Sequence, residues 1–170
     1  MAALKRAAPA GSARGEDGSV PTVIALERAD SPDAVALIDE LEGELEPLYP
    51  EQSRHGYSVD KLLREAVAFF VTRHRGAAAG CGGVQLYGEY GEIKRMYVRP
   101  GFRGLGLGKL MLDHLANHVR QHGLTLLRLE TGIHQHAAIG LYECFGFIRI
   151  GPFGAYRVDP LSAFYELRLR

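Results

Sequence analysis

A β-branched and aromatic run, Ile93 to Val98, stops at Pro100 and turns through Gly101, Gly104, Gly106 and Gly108. It passes directly into an amphipathic helix carrying Leu107, Met111, Leu115 and Val119 at i+4 spacing. Glycines take φ > 0 without penalty and let the backbone approach a ligand closely. A helix N-terminus presents unpaired N–H groups and a partial positive charge. A glycine-rich strand-to-helix junction of this kind is a site for phosphate groups, so the stretch points to a phosphorylated ligand.

Three glycine loops bind phosphates in related ways, and the spacing discriminates among them. A P-loop needs Gly-x-x-x-x-Gly-Lys-Ser/Thr. Here Gly108-Lys109 is present, but Arg103 stands at the first glycine and Leu110 at the metal-binding hydroxyl. The dinucleotide fingerprint Gly-x-Gly-x-x-Gly meets only Gly104-x-Gly106-x-Gly108, with no βαβ repeat around it. The third pattern, Arg/Gln-x-x-Gly-x-Gly/Ala, is matched in full by Arg103-x-x-Gly106-x-Gly108. It resembles the acyl-CoA-binding loop of the GNAT superfamily of N-acetyltransferases, and the Pro152-Phe153-Gly154-x-Tyr156 turn is loosely similar to one in the bacterial small-molecule members. The preceding Tyr97-Val98-Arg99-Pro100 is similar to the end of that family's fourth strand. Downstream, Ala137-Ala138-Ile139-Gly140-Leu141-Tyr142-Glu143-Cys144-Phe145-Gly146-Phe147 resembles the family's Ala-x-x-Leu-Tyr-x-x-x-Gly-Phe segment. One departure is Gln135, where the family often has Asn; it keeps the amide on a longer arm.

The resemblance implies an acetyl-CoA co-substrate. Met96, Tyr97 and Val98 would bind the pantetheine arm through their backbone, because in the family that strand splays from its neighbour. Arg103, Gly104, Leu105, Gly106, Leu107, Gly108 and Lys109 would hold the pyrophosphate, and Gln135 and Tyr142 would complete the cofactor side. The basic cluster Lys94, Arg95, Arg99, Arg103 and Lys109 would face or flank the phosphates, with some members simply solvated. Acyl transfer to an amine needs a base for the amine, an acid for the departing thiolate and N–H donors for the oxyanion. Tyr142, whose phenol normally titrates near 10, is the candidate acid. Glu92 is the candidate base, similar in its Gly-Glu-Ile setting to the glutamate of histone acetyltransferases in the superfamily; it could equally anchor a cationic substrate. An N–H of Met96 or Tyr97 would polarise the thioester carbonyl.

By the same resemblance the acceptor side is built from Tyr49 to Tyr57 and Pro152 to Pro160. These carry Tyr49, Arg54, His55 and Tyr57, then Phe153, Tyr156 and Arg157. Tyr57, Arg95, Tyr156 and Glu92 are the candidate substrate-binding residues. Such a mix suits a small amine with an anionic or aromatic group, an amino acid among them, better than a polyamine. A protein lysine or α-amine, and a non-catalytic acyl-CoA sensor, are the alternatives. The presence of both Glu92 and Tyr142 speaks against the sensor.

The rest of the chain reads as α+β, in the order βααβββαβαββ, with a mixed, mostly antiparallel central sheet flanked by helices. Strands are expected at Thr22 to Leu26, 67–73, 80–87, Glu92 to Val98, Thr125 to Thr131, Phe147 to Ile150 and Ala163 to Leu169. Ser31 and Pro32 open a first helix, with Val35, Leu37, Ile38 and Leu41 as its apolar face. Ser58 caps a second to about Ala66 with Leu62 and Leu63 buried. Further helices span 104–122 and about Gln135 to Cys144. The length of 170 residues fits one N-acetyltransferase domain over 21–170. Residues 1–20, rich in Ala, Gly, Ser and Arg without an apolar run, read as a disordered tail rather than a targeting segment.

Lys+Arg and Asp+Glu are both 20, and that balance argues against a nucleic-acid or anionic-membrane partner. No apolar run approaches about 18 residues, so a cytoplasmic protein is expected, with a homodimer left open. Cys81 and Cys144 lack metal-ligand spacing and read as core fillers, with an acylated Cys144 as a remote alternative. His114, His118 and His122 recur on one helix face and read as a solvated stripe rather than a zinc site, so no metal is expected. His134 and His136 flank Gln135 and could approach the substrate.

Overall fold

The computed structural model describes residues 21–170, so the tail expected over 1–20 lies outside the described residues. The element order is β1 (Thr22–Leu26), α1 (Pro32–Leu45), α2 (Val59–Arg64), β2 (Ala68–His74), β3 (Ala77–Leu86), β4 (Gly91–Val98), α3 (Leu107–Gln121), β5 (Leu126–Gly132), α4 (His136–Phe145), β6 (Ile148–Ile150) and β7 (Ser162–Arg168). The strands form one sheet in the order β1-β2-β3-β4-β5-β7-β6. Only β4 and β5 run parallel; every other pair is antiparallel.

Local chemistry accounts for the boundaries. Ser31 Oγ accepts the Ala34 N–H at 3.3 Å and Pro32 fills the first turn of α1. Ser58 Oγ does the same for Lys61 N at 3.2 Å in α2. The hairpin between β2 and β3 turns on Arg75 and Gly76, at φ 53° and 79°, the signature of a primed two-residue turn. α2 ends at Arg64, short of the expected Ala66, which sits at φ 52° outside the helical region. Leu62 is wholly buried, whereas Leu63 points outward at 36% exposure, contrary to the sequence expectation. α3 begins at Leu107 rather than 104 because Gly104 and Gly106 hold φ of 81° and 76°.

The sheet divides two cores. α1 and α2 cover one face with Leu37, Ile38 and Leu62 against Phe69, Val71 and Tyr97. α3 and α4 cover the other with Met111, Leu112, Leu115 and Val119 against Phe70, Val84, Ile93, Leu127 and Leu129. Each fully buried leucine contributes roughly 1.5–3 kcal/mol relative to exposure.

Two irregularities in β4 position the site. Between the pairs Cys81↔Tyr97 and Gly83↔Lys94, β4 advances three residues while β3 advances two. The extra residue is a bulge, and Arg95 within it takes φ 52°. The bulge breaks the strand's alternation, so Lys94 and Arg95 both lie toward the α1 side while Met96 turns to the α3 core. Beyond Glu92 the pairing with β5 stops: the register holds only Gly91↔Leu127 and Glu92↔Arg128, although β5 continues on β7 to Gly132. The two parallel strands therefore part, and the β5-facing edge of Met96–Val98 opens onto a cleft.

Candidate active site

The cleft has a volume of about 860 Å³. Its walls are the open edge of β4 (Met96, Tyr97, Val98), the glycine turn with the start of α3 (Arg103, Gly104, Gly106, Leu107, Gly108, Lys109), the start of α4 from His134 through Tyr142, and the second half of α1 with the residues after it (Leu41, Gly43, Glu44, Leu45, Pro47, Leu48). Of the loop residues expected there, only Leu105 is missing from the wall; its side chain is 52% exposed. Gly106 is the N-cap of α3 in the left-handed region and supplies no capping side chain, so the first-turn N–H groups remain available to an anion. Gly108 serves differently: a Cβ there would meet Leu141 at 2.8 Å, so its smallness lets α3 pack on α4.

Of the basic cluster, Arg103 and Lys109 lie on this cleft. Arg103 donates to Val98 O and to both Glu44 oxygens, each at 2.9 Å, and Lys109 pairs loosely with Asp113 at 3.5 Å. Arg99 is taken up by Glu40 and by Ala78 O. Lys94 and Arg95 line a smaller pocket rather than the glycine turn, unlike the placement expected from the sequence. His134 and His136 lie on the cofactor cleft rather than the acceptor side.

A second, narrower pocket of about 100 Å³ adjoins the first, lined by Glu42, Arg54, His55, Tyr57, Lys94, Arg95, Glu130, Thr131 and Tyr156 among others. Met96, Gln135 and Tyr142 belong to the walls of both spaces. Tyr142 is 6% exposed. Burial first, and then the nearby Glu130, raise its phenol well above the ordinary range, with no hydrogen bond contributing. It is a neutral O–H donor at any physiological pH.

Glu92 is 2% exposed and not on the pocket wall. One of its oxygens accepts from Lys94 Nζ at 2.5 Å and from Tyr156 Oη at 2.6 Å. Its carboxylate thus stands behind two residues that do line the pocket, whereas the sequence expectation set it against the substrate. Tyr156 is in turn pushed up by burial and by Glu92. Two carboxylates do reach the wall, Glu42 from α1 and Glu130 from β5, and the sequence reading missed both. Burial raises Glu130 above the usual carboxylate range, against the hydrogen bond from Ser162 Oγ at 2.7 Å and the nearby His55 and Lys94, which lower it; Glu92 adds to the rise. The signal was there in Leu127-Arg128-Leu129-Glu130: the leucines fill the α3 core, so the alternation puts Glu130 on the α1 face, beyond the Glu92↔Arg128 pair.

Two glycines fix the acceptor side by closeness alone. A Cβ at Gly56 would lie 2.4 Å from the Arg95 guanidinium, and one at Gly132 would lie 2.2 Å from the Tyr49 ring and hydroxyl. Tyr49 is 5% exposed, and its Oη accepts the His134 N–H at 2.9 Å, tying the loop after α1 to the start of α4. Gly132→Ala is expected to drive Tyr49 out and lower stability by about 1–3 kcal/mol, read as a lower urea midpoint at unchanged slope.

Three groups singled out in the sequence lie elsewhere. Cys81 is buried as expected, its thiol pushed up to about 12 mainly by burial, but Cys144 is exposed rather than a core filler. His114 and His118 are half-buried with their rings on Phe70 at 4.5 and 5.3 Å, and burial lowers both, so this is no solvated stripe. Among the described residues no group of three or more His, Cys, Asp or Glu could hold a metal, and no helix is long and apolar enough to cross a membrane.

The profile of the acetyltransferase (GNAT) family matches residues 33–147, which include the glycine turn, both pockets' shared wall and Tyr142. The chain belongs to the GNAT acetyltransferase family. An IAA acetyltransferase of Azospirillum brasilense is 41% identical over 150 residues, covering 86% of this chain and 98% of that protein. A crystal structure from Klebsiella pneumoniae, assigned as an acyl-CoA N-acyltransferase, superposes with a TM-score of 0.75 at 36% identity, over 88% of this chain and 98% of the other. PaiA N-acetyltransferase of Thermoplasma acidophilum, solved with coenzyme A, shares the fold at a TM-score of 0.70 and 18% identity, over 87% of this chain and 99% of the other. This GNAT chain is an acyltransferase, and the co-substrate of its family is acetyl-CoA.

Proposed function

We propose that this acetyltransferase moves an acetyl group from acetyl-CoA to the primary amine of a small metabolite by direct attack in a ternary complex. The observation that carries the reading is Tyr142, a neutral buried phenol standing in the common wall of the cofactor cleft and the acceptor pocket. Residues of the cleft suit the co-substrate: an open strand edge at Met96–Val98, an uncapped helix start at Gly106, and Arg103 and Lys109 beside it. Acetyl-CoA supplies an activated acyl group with a thiolate to be displaced. On this reading Tyr142 Oη gives its proton to the departing sulfur. The N–H groups along the open edge of β4 face the carbonyl oxygen where negative charge grows.

Glu130 takes the amine's proton. Its raised affinity for protons brings it nearer the operating pH, where a base works best. Glu92 is assigned a positioning role, holding Lys94 and Tyr156 in the pocket wall. The acceptor pocket is far smaller than the roughly 300–1,000 Å³ of drug-sized ligand sites, which favours a compact amine over a peptide. The kinship with an IAA acetyltransferase points the same way. A cytoplasmic setting, with acetyl-CoA at hand, belongs to the same proposal.

The base assignment predicts a pH profile. Glu130 acts only when deprotonated, so kcat/KM should fall as pH drops through its elevated pKa, with a limb above the ordinary carboxylate value of about 4.3. Glu130→Gln should lower kcat by about 100-fold and remove that limb. Glu92→Gln should keep the limb and raise KM. A limb that disappears with Glu92→Gln instead would return the base role to Glu92.

A further inference from the structure

We propose that the acceptor amine also carries a carboxylate, an amino acid in the simplest case, and that Arg54 and Arg95 bind that carboxylate. The proposal rests on the acetyl-transfer reading above and narrows its substrate class. In the acceptor pocket two guanidinium groups share a single carboxylate. Arg54 Nη1 donates to Glu42 Oε1 at 3.1 Å, and Arg95 Nη1 lies 2.8 Å from Glu42 Oε2. The cluster therefore carries one positive charge in excess. The other cation of the wall, Lys94, is already matched by Glu92 at 2.5 Å.

The cluster is also incompletely hydrogen-bonded: Glu42 Oε2, although 2.8 Å from Arg95 Nη1, makes no hydrogen bond among the described residues. Arg54 Nε is buried and has no partner among the described residues. An unpaired donor on a charged group is expensive to bury, and a bound carboxylate would satisfy it. Arg95 is held in place beforehand: its side chain is 7% exposed, its Nε donates to Tyr57 O at 2.8 Å, and its guanidinium rests against Gly56. The same pocket holds an opposite pole. Glu130 on β5 offers a carboxylate beside Tyr142, where the ammonium must arrive to lose its proton. A zwitterionic amine matches both poles, and a simple alkylamine matches only one.

The test uses thiol release from acetyl-CoA with the protein amino acids, then with the amides and decarboxylated counterparts of those that react. The expected result is a kcat/KM at least tenfold higher for the acid than for either counterpart. Arg54→Gln should raise KM for the acid about tenfold or more and leave both counterparts unchanged, with acetyl-CoA stabilisation of the variant equal to wild type. Glu42→Gln removes the competing carboxylate and should lower KM for the acid, which keeps the proposal testable should Arg54→Gln fail to fold. Amide or alkylamine turned over as fast as the acid, or an Arg54→Gln effect equal on all three, overturns the carboxylate subsite and leaves acetyl transfer standing. Thiol release with no amino acid but with carboxylate-free amines also overturns it. Absence of release with any amine overturns the functional reading as well.

Discussion

Tyr142→Phe is expected to lower kcat about 100-fold while the Kd for acetyl-CoA stays within twofold, an effect in the range of a general acid acting in the transition state. The reasoning is local. The ring is buried between α4 and the sheet, packing on Phe147 at 5.8 Å, and phenylalanine keeps that packing. The substitution removes only the hydroxyl, whose proton this site keeps bound at neutral pH. Stability should change little, because the hydroxyl makes no hydrogen bond among the described residues. Equal turnover by the variant would show that the leaving group finds its proton elsewhere, and a large loss of acetyl-CoA affinity would mean that the residue binds rather than reacts. A sensor that binds acyl-CoA without turnover would show no kinetic difference at all.

The second large effect is expected at the glycine turn. Gly106 holds φ 76° at the start of α3 and nothing lies within 4 Å of where its Cβ would be. Gly106→Ala should therefore cost only backbone strain, about 1–2 kcal/mol, with weakened but measurable acetyl-CoA binding. Gly106→Glu adds a carboxylate among the N–H groups that would receive phosphate, and binding should be lost. Thermal unfolding reads both. A ligand at 100 times its Kd stabilises by about 2.7 kcal/mol, so the wild type should show a clear shift with acetyl-CoA, the alanine variant a smaller one and the glutamate variant none. Retention of the full shift by Gly106→Glu would remove the turn from the cofactor site.

Those predictions lean on parts of the molecule that were legible in the sequence, and particular residues show why. The glycine turn announces itself because its chemistry is local: positive φ, an uncapped helix start and an i+4 apolar stripe all lie within a few consecutive residues. Ser31-Pro32 and Ser58 mark helix starts for the same reason. Tyr142 is picked out by the resemblance of its segment to a family motif, and it lines both pockets. The acceptor side was harder because it is assembled from α1, the loop after it, β4, β5 and the turn before β7. The bulge at Arg95 has no sequence signature: strict alternation would send Lys94 and Arg95 to opposite faces, and only the register with β3 shows both on one. That Glu130 lines the pocket while Glu92 stands behind its wall escapes the sequence for a related reason. A strand pattern reveals which face a residue takes but not which neighbours stand in front of it, here Lys94 and Tyr156 over Glu92. Cys144 fails as a core residue because the apolar run around it belongs to a helix exposing one side.

On the proposed mechanism the acetyl group passes directly from acetyl-CoA to a small amine across the wall that Tyr142 forms. The most direct test is initial velocity measured as thiol release while acetyl-CoA and a reactive amino acid are varied together. Direct transfer gives intersecting double-reciprocal lines and no acetylated protein by intact mass. Parallel lines with an acetyl group left on the chain, or release that does not depend on the amine, would contradict it.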